Sequence, residues 1–406
     1  MAGNSRRTPR DVLFYLLPAL AVILILALVF WALVQHGTDG FLRVTQIARY
    51  AFILAGVLAI GLALLTLFHW LRRSRRRPAG HRPISAVVTA ISAVFIVLFA
   101  VVWLVLAGFP GADVKTAVPF QPPVGQAAGS AIHFAVGSDA HFGAGDNNPT
   151  ATAEMLAQIR DPANRYDQFF FLGDLVQYGF IDRQWQTALT AFSSTTATLP
   201  VHFAPGNHDT LFAGFEHYLA YCTARPFSLQ RPGDLPDSPL WYRVDAGKAH
   251  FLVLDLEWSA ESYSTAQAAW LEDQLRTLPQ SDWKIVMSHG FYYGSGVVVE
   301  GWKWYDNPET ISRLTPLFEK YGVDLVFSGH NHDLEFLQHG GVYYAVCGAF
   351  GGEPDPLRTY VSPASLWYKG GQLAFVDVSL DGDQAALNFR APDSTVLRNF
   401  TFTKSN

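Results

Sequence analysis

The chain has 406 residues, of which 50% are hydrophobic and only 16% are charged, and its mean hydropathy is +0.15. An ordinary soluble domain carries about 25% charged residues, so this composition excludes a disordered chain and a simple soluble enzyme and indicates attachment to a membrane. The net charge of −5 conceals an asymmetry, because residues 1–110 contain eleven arginines, no lysine and two aspartates, whereas the remainder is acidic. An acidic domain binds phosphate backbones poorly, so no nucleic-acid partner is expected.

Three apolar segments lie in the basic third of the chain, at residues 12–34, 50–71 and 84–109, and none contains Asp, Glu, Lys or Arg. Each exceeds 20 residues, which is about the length a helix needs to cross a hydrocarbon core. They predict a membrane domain over residues 1–109 with three transmembrane helices.

Arginines predict the orientation of these spans. Nine lie before the first span or between the second and third, against Arg43 and Arg49 in the first connection. Because cytoplasmic loops carry the excess of positive charge, the N-terminus is predicted to be cytoplasmic and the acidic domain extracytoplasmic. We therefore expect a multi-pass protein of the cell membrane, with the lipid bilayer as a partner. Residues 110–130 are rich in Pro, Gly and Ala and predict a linker.

Residues 131–406 alternate short apolar runs with helix-like stretches. Strands are predicted at 132–138, 169–172, 201–205, 250–256, 284–288, 325–328, 342–346, 373–378 and 386–390. Helices are predicted at 152–160, 183–192 and 265–277. The alternation is typical of an α/β domain, and the close spacing of the later strands favours two packed β-sheets over one open sheet.

Side chains that bind metals follow five of the first six predicted strands. They are Asp139, His141, Asp174, Asn207, His208, His289, His330 and His332. Ligands of α/β sheets bind at the carboxyl ends of strands, so we expect these side chains to meet. Two carboxylates, an amide and four imidazoles suit Mn, Fe, Zn or Co better than Ca or Mg. With one bridging carboxylate they can hold two metals about 3.5–4 Å apart, which leaves His208 to protonate a leaving oxygen.

The blocks SDAHF, GDLVQYG, GNHD, SHG and GHNH occur in this order. Over roughly residues 132–350 the sequence resembles the calcineurin-like metallophosphoesterase superfamily. The resemblance implies a sandwich of two mixed sheets flanked by helices and a dinuclear metal centre. By position, it gives the first metal Asp139, His141, Asp174 and His332. It gives the second metal Asp174, Asn207, His289 and His330, with Asp174 bridging and His208 facing the substrate.

The spacing is most similar to tartrate-resistant and purple acid phosphatases, with one departure. Those enzymes carry an iron-ligating Tyr three residues after the bridging Asp, where this chain has Gln177, and Tyr178 follows one residue later. Because a one-residue shift redirects an extended side chain, Tyr178 is predicted to be a packing residue, and the metals stay open among Mn, Fe and Zn. Many related enzymes have an Asp at position 177 that orients the catalytic His. Without it, we expect Asp209 or another carboxylate to orient His208, unless nothing does.

Two further features allow more than one interpretation. The segment 290–307 either walls the substrate pocket with Tyr292, Tyr293, Trp302, Lys303 or Trp304, or packs its own aromatic rings. Cys222 and Cys347 could pair outside the cytoplasm, although Cys347 is more simply a small buried residue.

The function expected from these features is a membrane-anchored, outward-facing phosphoesterase whose substrate is a phosphate ester, monoester or diester. A hydroxide that bridges two divalent or mixed-valence metal ions would attack phosphorus, and His208 would assist the leaving group. The alternative is a non-catalytic membrane receptor or scaffold with a metal-binding outer domain. A degenerate ligand set would favour that alternative, but every ligand position is filled.

Overall fold

The computed structural model describes residues 131–211, 214–223, 240–299, 302–355 and 357–404. The predicted spans at 12–34, 50–71 and 84–109 and the predicted linker at 110–130 lie outside the described residues. Within those described ranges, no helix combines the length and the apolar character needed to cross a bilayer.

Fifteen strands form two large sheets and one small hairpin within the described ranges. The strands are β1 (Ala131–Gly137), β2 (Gln168–Phe171), β3 (Val201–Phe203), β4 (Tyr242–Ala246), β5 (Ala249–Val253), β6 (Trp283–Met287), β7 (Val298–Val299), β8 (Trp302–Lys303), β9 (Leu325–Ser328), β10 (Leu334–His339), β11 (Val342–Val346), β12 (Ser365–Lys369), β13 (Phe375–Asp381), β14 (Gln384–Arg390) and β15 (Val396–Thr403).

The first sheet has the order β15-β14-β13-β1-β2-β3, and the second has the order β12-β10-β11-β9-β6-β5-β4. Strands β1, β2 and β3 are parallel to one another, while β13 runs antiparallel to β1. In the second sheet β5, β6, β9 and β11 are parallel, and β4, β10 and β12 run antiparallel to their neighbours. Both sheets are therefore mixed; the parallel strands form one side of the first sheet and the centre of the second.

Helices cover the outer faces of both sheets. They are α1 (Pro149–Arg160), α2 (Asp182–Thr196), α3 (Asn207–Thr210), α4 (Gly214–Tyr218), which continues into a π-helical turn at Leu219–Thr223, α5 (Thr265–Thr277) and α6 (Pro308–Tyr321). Side chains of Asn148, Ser264 and Asn307 accept hydrogen bonds from the first turns of α1, α5 and α6. These caps satisfy main-chain N–H groups that a helix leaves without partners.

The main core lies between the two sheets. Phe134 of the first sheet packs edge-on against Phe251 and Phe327 of the second, with ring centroids 4.9 and 5.9 Å apart. A second apolar cluster joins α1 and α2 to the outer face of the first sheet, and a third joins α5 and α6 to the outer face of the second. The prediction of two packed mixed sheets flanked by helices is confirmed.

Several element predictions need correction. The helix at 265–277 and the strands at 325–328 and 342–346 have the predicted bounds. Strands β4, β7, β8, β10, β12 and β15 and helices α3, α4 and α6 were not predicted. Helix α6 contains Pro316, which breaks a helical pattern in a sequence. The possible pairing of Cys222 with Cys347 is wrong, because Cys222 packs outside the first sheet and Cys347 packs between the sheets.

Candidate metal centre

The candidate ligands meet where the parallel strands of both sheets end. Asp139 follows β1, Asp174 follows β2 and Asn207 begins α3 directly after β3. From the second sheet, His289 follows β6 and His330 follows β9. Because the carboxyl ends of parallel strands share an edge, the fold brings together residues that are almost 200 positions apart in the sequence.

The backbone at this edge is strained. Asp139, His141, Asp174 and His330 have φ angles of 60°, 48°, 51° and 69°, a region that non-glycine residues seldom adopt. They make up four of the seven non-glycine residues with positive φ in the described chain. The strain directs these side chains away from the strand axes and into the site.

Gly206 allows the turns after β2 and β3 to approach each other closely. A Cβ atom at this position would lie 2.3 Å from both the main-chain nitrogen and Oδ1 of Asp174. No other residue type therefore fits here without moving the loop that carries Asp174. This close approach also lets the main-chain N–H of His208 donate to Asp174 Oδ1 at 2.8 Å.

One half of the site contains Asp139, His141 and His332. The Nε2 atoms of His141 and His332 lie 3.0 Å apart. Asp139 Oδ1 lies 3.3 Å from His332 Nε2 and 3.7 Å from His141 Nε2, and this buried oxygen has no hydrogen-bond partner among the described residues. Donor atoms of the three residues lie within 4.8 Å of one another.

The other half contains Asp174, Asn207, His289 and His330. Asn207 Oδ1 lies 3.1 Å from His289 Nε2 and 3.0 Å from His330 Nδ1, and these two ring nitrogens are 3.2 Å apart. Asp174 Oδ2 connects the halves, at 3.3 Å from His289 Nε2 and 3.6 Å from His141 Nε2. Asp174 thus has the position predicted for a bridging ligand.

This donor set fits cations. His289 Nδ1 donates to the carbonyl of Leu172 at 2.7 Å, and His332 Nδ1 bonds the carbonyl of Glu353 at 2.5 Å. The Nε2 atoms of His332 and His141 face each other at 3.0 Å, and His141 Nδ1 lies 2.7 Å from Gln177 Oε1, so two neutral rings here would oppose their lone pairs. Positive charge must lie between them, and the backbone carbonyls fix the ring orientation as in metal-bound histidines.

The pKa values of the site reflect the same demand for positive charge. Burial lowers the pKa of His289, but Asp174 and Asp139 raise it to about 9. Burial likewise lowers the pKa of His332, and Asp139 and Asp355 raise it to about 10. Burial alone would raise the pKa of Asp139, yet the surrounding imidazoles hold it well below its usual value. The carboxylates are therefore ionised and attract either protons or metal ions to the rings.

His208 lies beside this cluster, and Gln177 fixes its ring. His208 Nδ1 bonds the main-chain carbonyl of Gln177 at 2.8 Å, so its Nε2 is the atom left to face the site. The expectation that a carboxylate orients His208, or that nothing does, is wrong. Asp209 instead accepts from the main-chain nitrogens of Val176 and Gly206. The Gln177 side chain has a separate task, because its Oε1 lies 2.7 Å from His141 Nδ1.

The other residues singled out in the sequence lie in different environments. Tyr178 does not line the cavity; its side chain is 41% exposed at the surface, with its ring centroid 5.9 Å from that of Phe180. Tyr292 and Tyr293 belong to the core outside the second sheet, whereas Trp304 lines the cavity above the ligands. The segment 290–307 therefore combines both interpretations offered for it.

The sequence analysis missed several residues that line this cavity of about 380 Å³. Trp258 is one of them. The sequence could have indicated it, because it follows the strand predicted at 250–256, the one early strand after which no ligand was assigned. The others are Asp146, Asp333, Glu353, Asp355 and Tyr368. Glu353 and Asp355 come from the loop after β11, where no motif marks them.

Comparisons with known proteins agree with this geometry. The family model for calcineurin-like phosphoesterases matches residues 132–334, half of the chain. The chain belongs to the calcineurin-like phosphoesterase family. The fold described above is therefore that of a phosphoesterase family. The clustered ligand side chains fit two divalent or mixed-valence metal ions.

Individual relatives are similar over parts of their length. The chain is 28% identical to the Fe(3+)-Zn(2+) purple acid phosphatase 12 of Arabidopsis thaliana, covering 41% of this chain and 36% of that protein. It is 23% identical to purple acid phosphatase 18 of the same organism, covering 55% of this chain and 52% of that protein. The chain thus spans about half or less of the length of these relatives.

A solved structure shares the fold. The structure of purple acid phosphatase PPD1 from yellow lupin (Lupinus luteus) superposes with a TM-score of 0.57 at 19% identity, covering 70% of this chain and 55% of that chain. At this identity the likeness concerns the fold, which is the two-sheet sandwich described above.

Proposed function

We propose that this protein hydrolyses phosphate esters at a dinuclear metal centre, from a domain anchored to a membrane and facing out of the cytoplasm. The observation that carries the hydrolase proposal is the convergence of buried acceptor atoms, centred on Asp174 Oδ2, beside the His208 ring in the cavity lining. The family model and the two plant phosphatases support the same reaction class.

Two metal ions held by Asp139, His141, Asp174, Asn207, His289, His330 and His332 would activate a water molecule and neutralise phosphate oxygens. The chain's own part is positioning, because burial and main-chain hydrogen bonds fix the ligand rings before substrate arrives.

His208 serves as the proton donor to the leaving oxygen. Its Nδ1 proton is committed to the Gln177 carbonyl, which sets the ring orientation. Nε2 is the ring nitrogen that is not bonded to the Gln177 carbonyl, and a nitrogen of His208 lies within 4.8 Å of donor atoms of His141 and Asp174, so a proton at Nε2 faces the centre. General acid catalysis needs a donor within hydrogen-bond reach of that oxygen, which this position provides.

The membrane part of the proposal rests on the apolar segments at 12–34, 50–71 and 84–109 and on the distribution of arginines. Reporter fusions test it. A periplasmic or extracellular reporter joined after residue 130 should be active, and the same reporter joined after residue 45 should also be active. Joined after residue 78, it should be inactive. The reverse pattern would refute the orientation.

The test of the hydrolase is direct. The purified full chain should retain about two metal ions and hydrolyse p-nitrophenyl phosphate or bis-p-nitrophenyl phosphate. EDTA should abolish the activity, and Mn, Fe or Zn should restore it. Metal-loaded protein that cleaves neither a monoester nor a diester would favour the alternative, a metal-binding receptor or scaffold.

A further inference from the structure

Two tryptophans form one wall of the cavity above the ligands. Trp258 lies in the loop after β5, and Trp304 follows β8. Their ring centroids are 5.2 Å apart, with the planes inclined at 55°. Both contact the His330 ring, Trp304 nearly parallel to it at 5.2 Å and Trp258 edge-on at 4.7 Å. The indoles are thus separated from the metal centre by a single ligand ring.

Close backbone contacts fix both tryptophans. A Cβ atom at Gly296 would lie 1.8 Å from the carbonyl oxygen of Trp304, and one at Gly290 would lie 3.0 Å from that of Trp258. Gly290 also donates to the carbonyl of Leu256 at 2.7 Å, which ties the Trp258 loop to the residue after His289. The backbone of both tryptophans is therefore held against the segment that follows the ligand His289.

Trp258 remains 40% exposed although it borders a buried ligand. Covering the apolar faces of the two indoles removes apolar surface from water, which is favourable in free energy. Stacking of a ring on them contributes further stabilisation. The cavity differs near His332, where Asp355 Oδ2 accepts a hydrogen bond from the main-chain N–H of His332 at 2.7 Å. The other carboxylate residues of the lining that are not proposed metal ligands are Asp146, Asp333 and Glu353. A neutral group attached to a metal-bound phosphate is stabilised more on the indole side than beside these carboxylates.

We infer that the preferred substrate is a phosphate ester whose alcohol portion is a flat, uncharged ring that stacks on Trp258 and Trp304. This inference rests on the proposed hydrolase function and adds to it a class of substrate. It makes the two tryptophans the residues that determine specificity, while the metal ligands and His208 carry out the reaction.

The test compares 1-naphthyl phosphate with glycerol 2-phosphate as substrates of the full chain. For each variant, the measured quantity is the ratio of kcat/KM for the naphthyl ester to kcat/KM for the glycerol ester. Trp258→Ala and Trp304→Ala should each lower this ratio about tenfold, because a stacking partner is lost. Trp258→Phe, which keeps a flat ring, should retain most of it.

Leu366→Ala supplies a matched control, because Leu366 is a large apolar side chain that is 54% exposed and does not line the cavity. Its ratio should equal that of the wild type. If the ratio is unchanged in both alanine variants, or if both kcat/KM values fall in parallel, the inference is overturned.

A binding measurement separates this inference from the proposed activity. Isothermal titration calorimetry on the metal-loaded full chain should give phenylphosphonate a Kd about tenfold below that of methylphosphonate. The difference should shrink in Trp258→Ala. If the wild type hydrolyses neither ester, the proposed function fails, while the two phosphonates still decide whether the wall binds rings. Equal affinities for them would overturn the inference.

Discussion

Histidines meet carboxylates at both ends of the parallel strands, with opposite consequences. At the carboxyl ends, ring nitrogens face one another, 3.0 Å apart for His141 and His332. At the amino ends, His250 lies between two carboxylates, with Nδ1 2.7 Å from Asp245 and Nε2 3.2 Å from Asp282. The second cluster is complete because each ring nitrogen has its own acceptor. In the cluster at the carboxyl ends, acceptor atoms of different residues face one another with no donor between them among the described residues. This arrangement of acceptors, rather than the number of histidines, identifies a cation site.

The largest effect should follow from breaking the bridging position. Asp174→Asn removes the carboxylate shared by both halves. Bound metals contribute several kcal/mol of transition-state stabilisation, so kcat/KM should fall by about a thousandfold or more. Elemental analysis should show loss of metal. Asp245→Asn at the opposite ends is the matched control and should keep metal and activity. Equal losses in both variants would contradict the comparison.

His208→Ala should have the next largest effect. Loss of a general acid should lower kcat about a hundredfold for an alkyl phosphate, and much less for p-nitrophenyl phosphate, whose leaving group needs little protonation. The metal content should stay constant. A nitrogen of His208 also lies within 4.8 Å of donor atoms of His141 and Asp174. Loss of metal in this variant would therefore make His208 a ligand instead of an acid.

Gln177→Leu should weaken metal binding without removing a ligand. It deletes the oxygen that holds His141 Nδ1 and leaves the carbonyl that orients His208 in place. Metal affinity, measured by competition with a chelator, should fall about tenfold to a hundredfold, as for other groups that orient metal-bound histidines. Gln177→Glu should restore it. Gln184→Leu, whose side chain accepts from the main-chain nitrogen of Tyr178, is the control. If the metal affinity of Gln177→Leu equals that of the wild type, Gln177 does not position a metal ligand.

The smallest effect concerns the amino-end cluster. Burial lowers the pKa of His250, but Asp245 and Asp282 raise it above its usual value. The stabilisation is therefore complete below a pH of about 6.5, the usual pKa, and is lost as the pH rises through the raised pKa. His250→Asn should destabilise the fold by about 1 kcal/mol or less at pH 5.5, because its partners are partly exposed.

Thermal unfolding across the pH range checks this. The difference in melting temperature between His250→Asn and the wild type should shrink as the pH rises above about 6.5 and through the raised pKa of His250. A constant difference at every pH would mean that His250 acts through packing.

The sequence predicted the positions that obey local rules. Asp139 and His330 follow apolar runs, and such runs end at the ligand edge of a parallel sheet, so the site followed from strand ends. The walls of the cavity followed only in part. The segment 290–307 supplied Trp304 and the strand before Trp258 could have indicated that residue, whereas Asp355 reaches the cavity through a loop that no periodicity encodes. The orientation of His208 was missed for a related reason, since a main-chain carbonyl leaves no mark on residue identity.

The left-handed backbone at Asp139, His141, Asp174 and His330 has a consequence for evolution. Each such conformation costs about 1–2 kcal/mol with a side chain present and almost nothing with glycine. Asp139 and Asp174 also accept hydrogen bonds from the main-chain nitrogens of His330 and His208, so selection for heat resistance alone would favour glycine only at His141 and His330. In a descendant released from its chemistry, we expect these ligands to be lost before the neighbouring core, and the fold to become more stable as the function decays.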